Sequence, residues 1–175
     1  YEPACQRAER SYFDPYLQVA ARLRTLRDMG HVIDKVELIV LGGTWTDYPQ
    51  SYQYWFMSEL FRALNDMGDD EVVARQMQRR RAHYEAQALP CTPDECRAYC
   101  HMSNERIAAH EITYNEAVAE LYGAQSPWAA TAAEQVSTQE ELDELQRTNE
   151  NAASRAVGLV IETRPDALNA QSLMS

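Results

Sequence analysis

The chain has 175 residues, of which 45% are hydrophobic and 25% charged, so it is long enough for one hydrophobic core and has the composition of a globular domain. Its net charge of -11 opposes non-specific binding to nucleic acid, which depends on Lys and Arg neutralising phosphates, so any RNA partner would need basic surface from elsewhere. No apolar run approaches the ~20 residues of a membrane span, and four cysteines are few for a disulfide framework. We therefore expect a cytoplasmic protein with reduced thiols and no membrane contact.

The first twelve residues have no periodicity and begin without methionine, so we expect a piece of a longer protein. Asp14-Pro15 predicts the start of the first helix, because Asp caps a helix and Pro suits its first position. Gly30 is typical of a helix end and predicts where this helix stops.

The first strand is predicted over residues 36–41, a nearly continuous aliphatic run followed by Gly42-Gly43-Thr44. Such a run is typical of a parallel strand that is buried on both faces and opens into a loop at its carboxyl end. Two glycines let a backbone approach a ligand closely, and Thr44 adds a hydroxyl beside them. A plain turn between strand and helix is the alternative interpretation.

A second helix is predicted from Pro49 to about Gly68, giving the helix, strand, helix order of α/β proteins. Aromatic residues crowd its start: Trp45, Tyr48, Tyr52, Tyr54 and Trp55. Such a cluster could stack on a base, although packing in a core or at a rim is the more common role.

Residues 69–137 are polar and helix-prone, which predicts a helical insert between two strands. A parallel strand pair needs a crossover of only about a dozen residues, so the insert is an addition to the fold rather than a requirement. The triplet Arg79-Arg80-Arg81 is its one concentrated positive charge, and a solvated face is the usual role of such a run.

Within the insert, Thr92-Pro93-Asp94-Glu95 predicts a capped helix start, followed by an apolar face that includes Tyr114 and Val118 and continues to Gly123. Residues 125–136 contain Ser-Pro and are interpreted as a loop. Ser137-Thr138 begins another capping pattern, which predicts a helix running towards residue 154.

The insert carries the residues that most resemble metal ligands, Cys91, Cys96, Cys100 and His101, because thiolates and imidazole suit zinc and iron-sulfur clusters. Cys96 and Cys100 are one helical turn apart, but no second Cys pair follows at zinc-ribbon distance. Small buried thiols are the more common role, and a structural zinc site remains the alternative.

The second strand is predicted over residues 157–161, with the polar tip Glu162-Thr163-Arg164 and a stop at Pro165. We expect it to lie parallel to the first strand, so that both polar tips face one ligand rim. A surface ion pair between Glu162 and Arg164 is the alternative interpretation of that tip. Residues 166–174 predict the start of a further helix.

The joint occurrence and spacing of several motifs resemble the radical S-adenosylmethionine domain of the elongator catalytic subunit family. These motifs are Tyr1-Glu2-Pro3, Tyr12-x-Asp14-Pro15-Tyr16-x-Gln18, Gly30-His31-x-x-Asp34-Lys35-Val36-Glu37, Gly42-Gly43-Thr44 and Glu162-Thr163-Arg164-Pro165-Asp166. The resemblance covers roughly residues 1–68 and 138–170. It implies a partial (β/α)6 barrel holding a [4Fe-4S] cluster and S-adenosylmethionine. It also implies conversion of the wobble uridine of tRNA to its 5-carboxymethyl form, with acetyl-CoA as acetyl donor.

By this resemblance Gly42, Gly43 and Thr44 match the motif that meets the amino group of S-adenosylmethionine. Glu162, Thr163 and Arg164 match the strand-end motif near its methionyl or ribose portion. The family's cluster cysteines lie upstream of a Tyr-Glu-Pro segment, so we expect this chain to begin after them and to be inactive alone.

The expected fold class is therefore α/β, a fragment of the barrel with two parallel strands and a large helical insert. The expected divisions are residues 1–68 and 138–175 for the barrel fragment and 69–137 for the insert. A helical protein-interaction module is the rival from another class. Self-association of the fragment is left open as a way to cover the barrel faces it lacks.

Overall fold

The computed structural model describes residues 3–87, 89, 93–126 and 128–164, and for residues 3–5, 93, 96 and 99 it describes the backbone alone. Two compact units are formed, one by residues 1–18 and 75–134 and the other by residues 19–74 and 135–175. The helices are α1 Pro3–Glu9, α2 Pro15–Asp28, α3 Gln50–Asp66, α4 Asp70–Ala86, α5 Pro93–Ala108, α6 Tyr114–Tyr122, α7 Trp128–Glu134 and α8 Gln139–Asn149, and the strands are β1 Lys35–Val40 and β2 Arg155–Ile161. In the described part of the chain, no helix has the length and apolar character needed to cross a membrane.

The core of the first unit is aromatic. Tyr12 and Tyr84 stack with ring centroids 5.0 Å apart, and Leu17 and Leu89 are buried with them. Trp128 of α7 packs against this cluster. α7 is too short to be stable by itself, so the packing of its Trp128 ring against this cluster stabilises the helix.

The predicted cap at Asp14 is confirmed, since Leu17 donates its backbone N–H to Asp14 Oδ1 at 2.8 Å. Asp14 is fully buried, and its other oxygen accepts hydrogen bonds from Arg80 and Tyr84. One carboxylate thus caps α2 and binds two side chains of α4, which gives the first unit a polar centre.

Residues 3–9 form α1, a helix for which that stretch gives no apolar periodicity. Two sequence predictions about helices are wrong. Residues 125–136, interpreted as a loop, contain α7, whose alanines favour a helix. The apolar face expected to continue to Gly123 is divided, because His110 takes the left-handed conformation (φ 58°) and ends α5. Thr113 then caps α6 with a complete capping box.

In the second unit, β1 and β2 are neighbouring parallel strands, as predicted. α3 packs along α8 and against β2. Thr138 is the N-cap of α8, accepting from the N–H of Glu141, which confirms the predicted start; the helix ends at Asn149.

The expectation that both strands are buried on both faces is wrong for this chain. Leu38 is buried, but Ile39 is 55% and Val157 63% exposed. A parallel sheet is buried on both faces only when helices cover both faces, and the described helices, among which α3 packs against β2, leave these side chains uncovered.

Two predictions lie outside the described residues. The N-cap role of Thr92 concerns a residue before the described start of α5, and the further helix over residues 166–174 follows Arg164, the last residue described. The expected three-part domain division stays a prediction.

Candidate functional site

The two motifs predicted to form a ligand rim lie where the two strands end. Val40 and Ile161 are partners at the carboxyl ends of the ladder, and Glu162 donates its backbone N–H to the Val40 carbonyl oxygen at 3.1 Å. Gly42-Gly43-Thr44 and Glu162-Thr163-Arg164 therefore leave adjacent strands at the same edge of the sheet. This proximity is the geometric condition for both motifs to contact one ligand.

The glycine loop leaves room beside its backbone. Gly42 has φ +147°, a conformation that side chains rarely adopt, and a Cβ built there meets nothing within 4 Å. At Gly43 a Cβ would lie 3.3 Å from the hydroxyl oxygen of Tyr48. A side chain at position 42 would thus be strained, and one at position 43 would press on the Tyr48 ring.

A short 3-10 helix, Trp45–Asp47, follows the loop and turns the chain towards α3. Asp47 donates its N–H to the Thr44 carbonyl at 3.0 Å. Gln53 of α3 donates through Nε2 to the carbonyl oxygens of Tyr48, at 2.8 Å, and Trp45, at 3.3 Å. Gln53 therefore ties the loop to a rigid helix, a role that no sequence motif indicates.

The aromatic residues at the start of α3 contact one another. Trp45 meets Phe56 edge-on at 5.4 Å, and Tyr52 lies 5.0 Å from Tyr48 and 5.5 Å from Trp55. Burial, with a smaller contribution from Tyr48, raises the pKa of Tyr52 to about 12. Because these rings pack against one another, packing at the rim is favoured as their role over stacking on a base.

The strand tip after β2 presents polar groups. Glu162 and Arg164 are exposed, and Thr163 is half-buried. Within the described residues, the buried Oγ1 atoms of Thr163 and Thr46 have no hydrogen-bond partner. A buried hydroxyl without a partner is costly, so a ligand that brings polar groups would stabilise it.

The predicted metal cluster lies largely outside what the structure describes. Cys91 is not described, and of Cys96 only the backbone is; α5 contains Cys96 and Cys100 one turn apart. Cys100 is a half-buried free thiol, and His101 Nε2 lies 3.3 Å from Glu105 Oε1. Among the described side chains, no three His, Cys, Asp or Glu residues form a group that could hold a metal ion.

The basic triplet is not the uniform solvated face that such a run suggests. Arg80 pairs with Asp14 at 3.1 Å, and its guanidinium lies 4.3 Å from the centre of the Tyr16 ring. Arg81 donates to the carbonyl oxygen of Arg10. Two of the three cations thus make contacts within the first unit, and the charge of Arg80 is paired with a carboxylate.

The chain is similar to proteins named Elongator complex protein 3, and no protein-family model matches it. The Schizosaccharomyces pombe protein is 46% identical over 65 residues, 37% of this chain and 12% of that protein. The Danio rerio protein is 37% identical over 98 residues, 55% of this chain and 18% of that protein. The tRNA uridine(34) acetyltransferase of Dehalococcoides mccartyi is 49% identical over 63 residues, 36% of this chain and 14% of that protein.

A solved structure agrees with the sequence matches. The Elp3 protein of the archaeon Methanocaldococcus infernus, with residues 1–46 deleted, matches 93% of this chain with a TM-score of 0.50 and 25% identity. The match covers 22% of that protein, and the chain spans between about an eighth and a fifth of the curated relatives. The structural match and the parallel strand pair confirm the predicted α/β fold class of a partial barrel.

Proposed function

Because this chain is a relative of the elongator catalytic subunit family, we propose that it forms part of a tRNA-modifying radical S-adenosylmethionine enzyme. When bound in the parent protein, S-adenosylmethionine would supply radical chemistry for converting the wobble uridine to its 5-carboxymethyl form, with acetyl-CoA as acetyl donor. The observation that carries the proposal is the bond between Glu162 N–H and the Val40 carbonyl oxygen, which brings the two family motifs to one edge.

The rim fits S-adenosylmethionine chemically. The open backbone at Gly42 admits the amino acid end of the cofactor, and the buried hydroxyl of Thr163 gains the partner that it lacks among the described residues. The Glu162 carboxylate binds the cofactor's ammonium or ribose hydroxyls, and Arg164 binds a carboxylate. Thr44 adds a second hydroxyl from the glycine side.

The described residues do not fit the [4Fe-4S] cluster, whose iron is held by several cysteine thiolates. The described side chains include no such group, and the Cys91, Cys96 and Cys100 spacing differs from the family's. The chain alone is therefore expected to bind the cofactor and not to cleave it, and tRNA and acetyl-CoA are partners of the parent.

The exposed strand faces agree with this assignment. Ile39, Val157 and Val160 present apolar side chains to solvent, although parallel sheets are normally covered on both faces. In the parent, the remaining barrel covers them. Without that wall the cofactor keeps few contacts, so the affinity of the chain alone is expected on the order of millimolar, about 4 kcal/mol.

The test measures deoxyadenosine production by the reconstituted parent and by the chain alone. Glu162→Ala is expected to impair the parent, whereas Asp143→Ala, which removes an exposed carboxylate from α8, leaves it unchanged. Activity in the chain alone, or full turnover in Glu162→Ala, contradicts the assignment.

A second pair of variants tests the glycine side. Gly43→Val is expected to block approach of the cofactor, but valine also presses on Tyr48. Gly43→Val combined with Tyr48→Ala removes that ring contact, and the defect is expected to persist. Recovery in the double variant would assign the defect to the displaced ring instead.

A further inference from the structure

Strand β2 contains one residue more than its partner. β2 has seven residues and β1 has six. The ladder pairs Val36 with Ala156 but Glu37 with Gly158, so Val157 has no partner. The backbone bonds at the two ends of the sheet agree, since Arg155 donates to Asp34 and Glu162 donates to Val40. The extra residue is thus a bulge of the kind that redirects a strand.

Asn149, at the end of α8, binds the backbone on the amino side of this bulge. Its Oδ1 accepts the Ala156 N–H at 2.8 Å, and its Nδ2 donates to the Ser154 carbonyl oxygen at 3.0 Å. Nδ2 also donates to Asn65 Oδ1 of α3 at 2.8 Å. Asn149 is 3% exposed, so water competes little for these bonds.

The register beyond the bulge decides which residues reach the rim. Side chains alternate between the two faces of a strand, so a slip of one residue exchanges the faces of all that follow. If Val157 entered the ladder opposite Glu37, the Val40 carbonyl would face Ile161 instead of Glu162. Thr163 would then exchange faces with Glu162 and Arg164.

We propose that Asn149 is a positioning residue for the rim: it holds residues 154 and 156 so that Val157 stays outside the ladder and Glu162 follows the end of β1. This inference rests on the proposed function only for the identity of the ligand. The register itself is a property of the described second unit and is measured without ligand.

The experiment compares three variants of the full 175-residue chain by NMR. The readouts are the through-bond coupling between Glu162 N and Val40 C′ and, separately, the affinity for S-adenosylmethionine. Asn149→Ala is expected to lose the coupling and to bind the cofactor about tenfold more weakly, equivalent to about 1.4 kcal/mol. Asn65→Ala is the matched control, because it removes the α3 partner of Asn149 and leaves the Ala156 bond; it is expected to keep both coupling and affinity.

The third variant combines Asn149→Ala with deletion of Val157. Without the extra residue a regular ladder already pairs Glu37 with Gly158, so the Glu162 coupling is expected to return. A merely structural Asn149 would not be rescued in this way. The inference is overturned if Asn149→Ala keeps the coupling, or if the deletion fails to restore it, including through failure of the double variant to fold. A wild-type chain that shows the coupling but binds no S-adenosylmethionine would overturn the proposed function alone.

Discussion

The Tyr84 hydroxyl donates a 2.6 Å hydrogen bond to Oδ2 of Asp14, a carboxylate with no exposed surface. The same oxygen accepts from Arg80 at 3.1 Å, while Oδ1 caps α2. A buried charge is tolerated when it is paired and hydrogen-bonded, and each bond to Asp14 offsets part of its desolvation. Asp14 therefore connects α2 with α4 through buried hydrogen bonds, and we expect the first unit to depend on it.

Replacing Asp14 by alanine is expected to lower the free energy of unfolding by about 3–5 kcal/mol, because it leaves the Arg80 charge partly buried without its carboxylate. Asp28→Ala, at the exposed other end of α2, is the control and is expected to change it by about 0.5 kcal/mol or less. Urea denaturation measures both, and equal losses would contradict the central role of Asp14.

The capping box of α6 is expected to be sensitive to pH. Bonds from the backbone and side chain of Thr113 hold the pKa of Glu116 below its ordinary value. A lowered pKa in the folded state stabilises the fold above the unfolded-state pKa of about 4.3, and this stabilisation is lost as pH falls through the folded value. Carbon NMR of the Glu116 carboxyl group measures the shift, and Thr113→Ala is expected to raise the pKa. Because alanine keeps the backbone N–H that is the larger cause, an unchanged pKa in that variant would exclude the Thr113 hydroxyl as a cause.

Tyr52 is expected to ionise only at strongly alkaline pH. Burial is the main cause that raises its pKa to about 12, and the neighbouring Tyr48 adds to it. Because the unfolded chain loses this proton near pH 10, the contribution of Tyr52 to stability is present below pH 10 and disappears as pH rises towards 12. Ultraviolet titration of the phenolate, with Tyr52→Phe to identify the signal, checks the value. Tyr48→Phe should lower it only slightly.

Protein purified without chelator is expected to contain no stoichiometric zinc or iron. Cys100 is a free thiol and the His101 ring lies beside Glu105, an arrangement that does not require a metal. Elemental analysis measures the content. One metal ion per chain that is lost on Cys96→Ser would instead assign a structural zinc site to the insert.

The sequence was sufficient to predict those helices and strands whose ends depend on residues only a few positions apart. Asp14 and Thr138 cap helices because an oxygen acceptor three residues before an unpaired N–H suffices. The two aliphatic runs formed parallel strands, since their polar tips and β-branched residues indicated both length and direction. The positions of Gly42 and Glu162 at one edge followed from that pairing.

Features that depend on distant partners could not be predicted in this way. α7 is held by Trp128, which packs against the buried cluster that contains Tyr12 and Tyr84. The break before α6 depends on His110 in a left-handed conformation. Neither leaves a periodic pattern. The same limit applies to Arg80. Its position in a basic triplet predicted a solvated side chain, but Asp14 and Tyr16 lie beside it in the folded chain.

The sequence by itself determined where α2 and α8 begin, where the two strands lie and which motifs follow them, because caps, glycines and aliphatic runs act within a few residues. Only the tertiary structure decided the register that brings Glu162 to Val40, the role of Gln53 at the glycine loop and that of Asn149 at the bulge. The physical reason is that hydrogen bonds between side chains and distant backbone have no fixed sequence spacing, so they become visible only when the chain has folded.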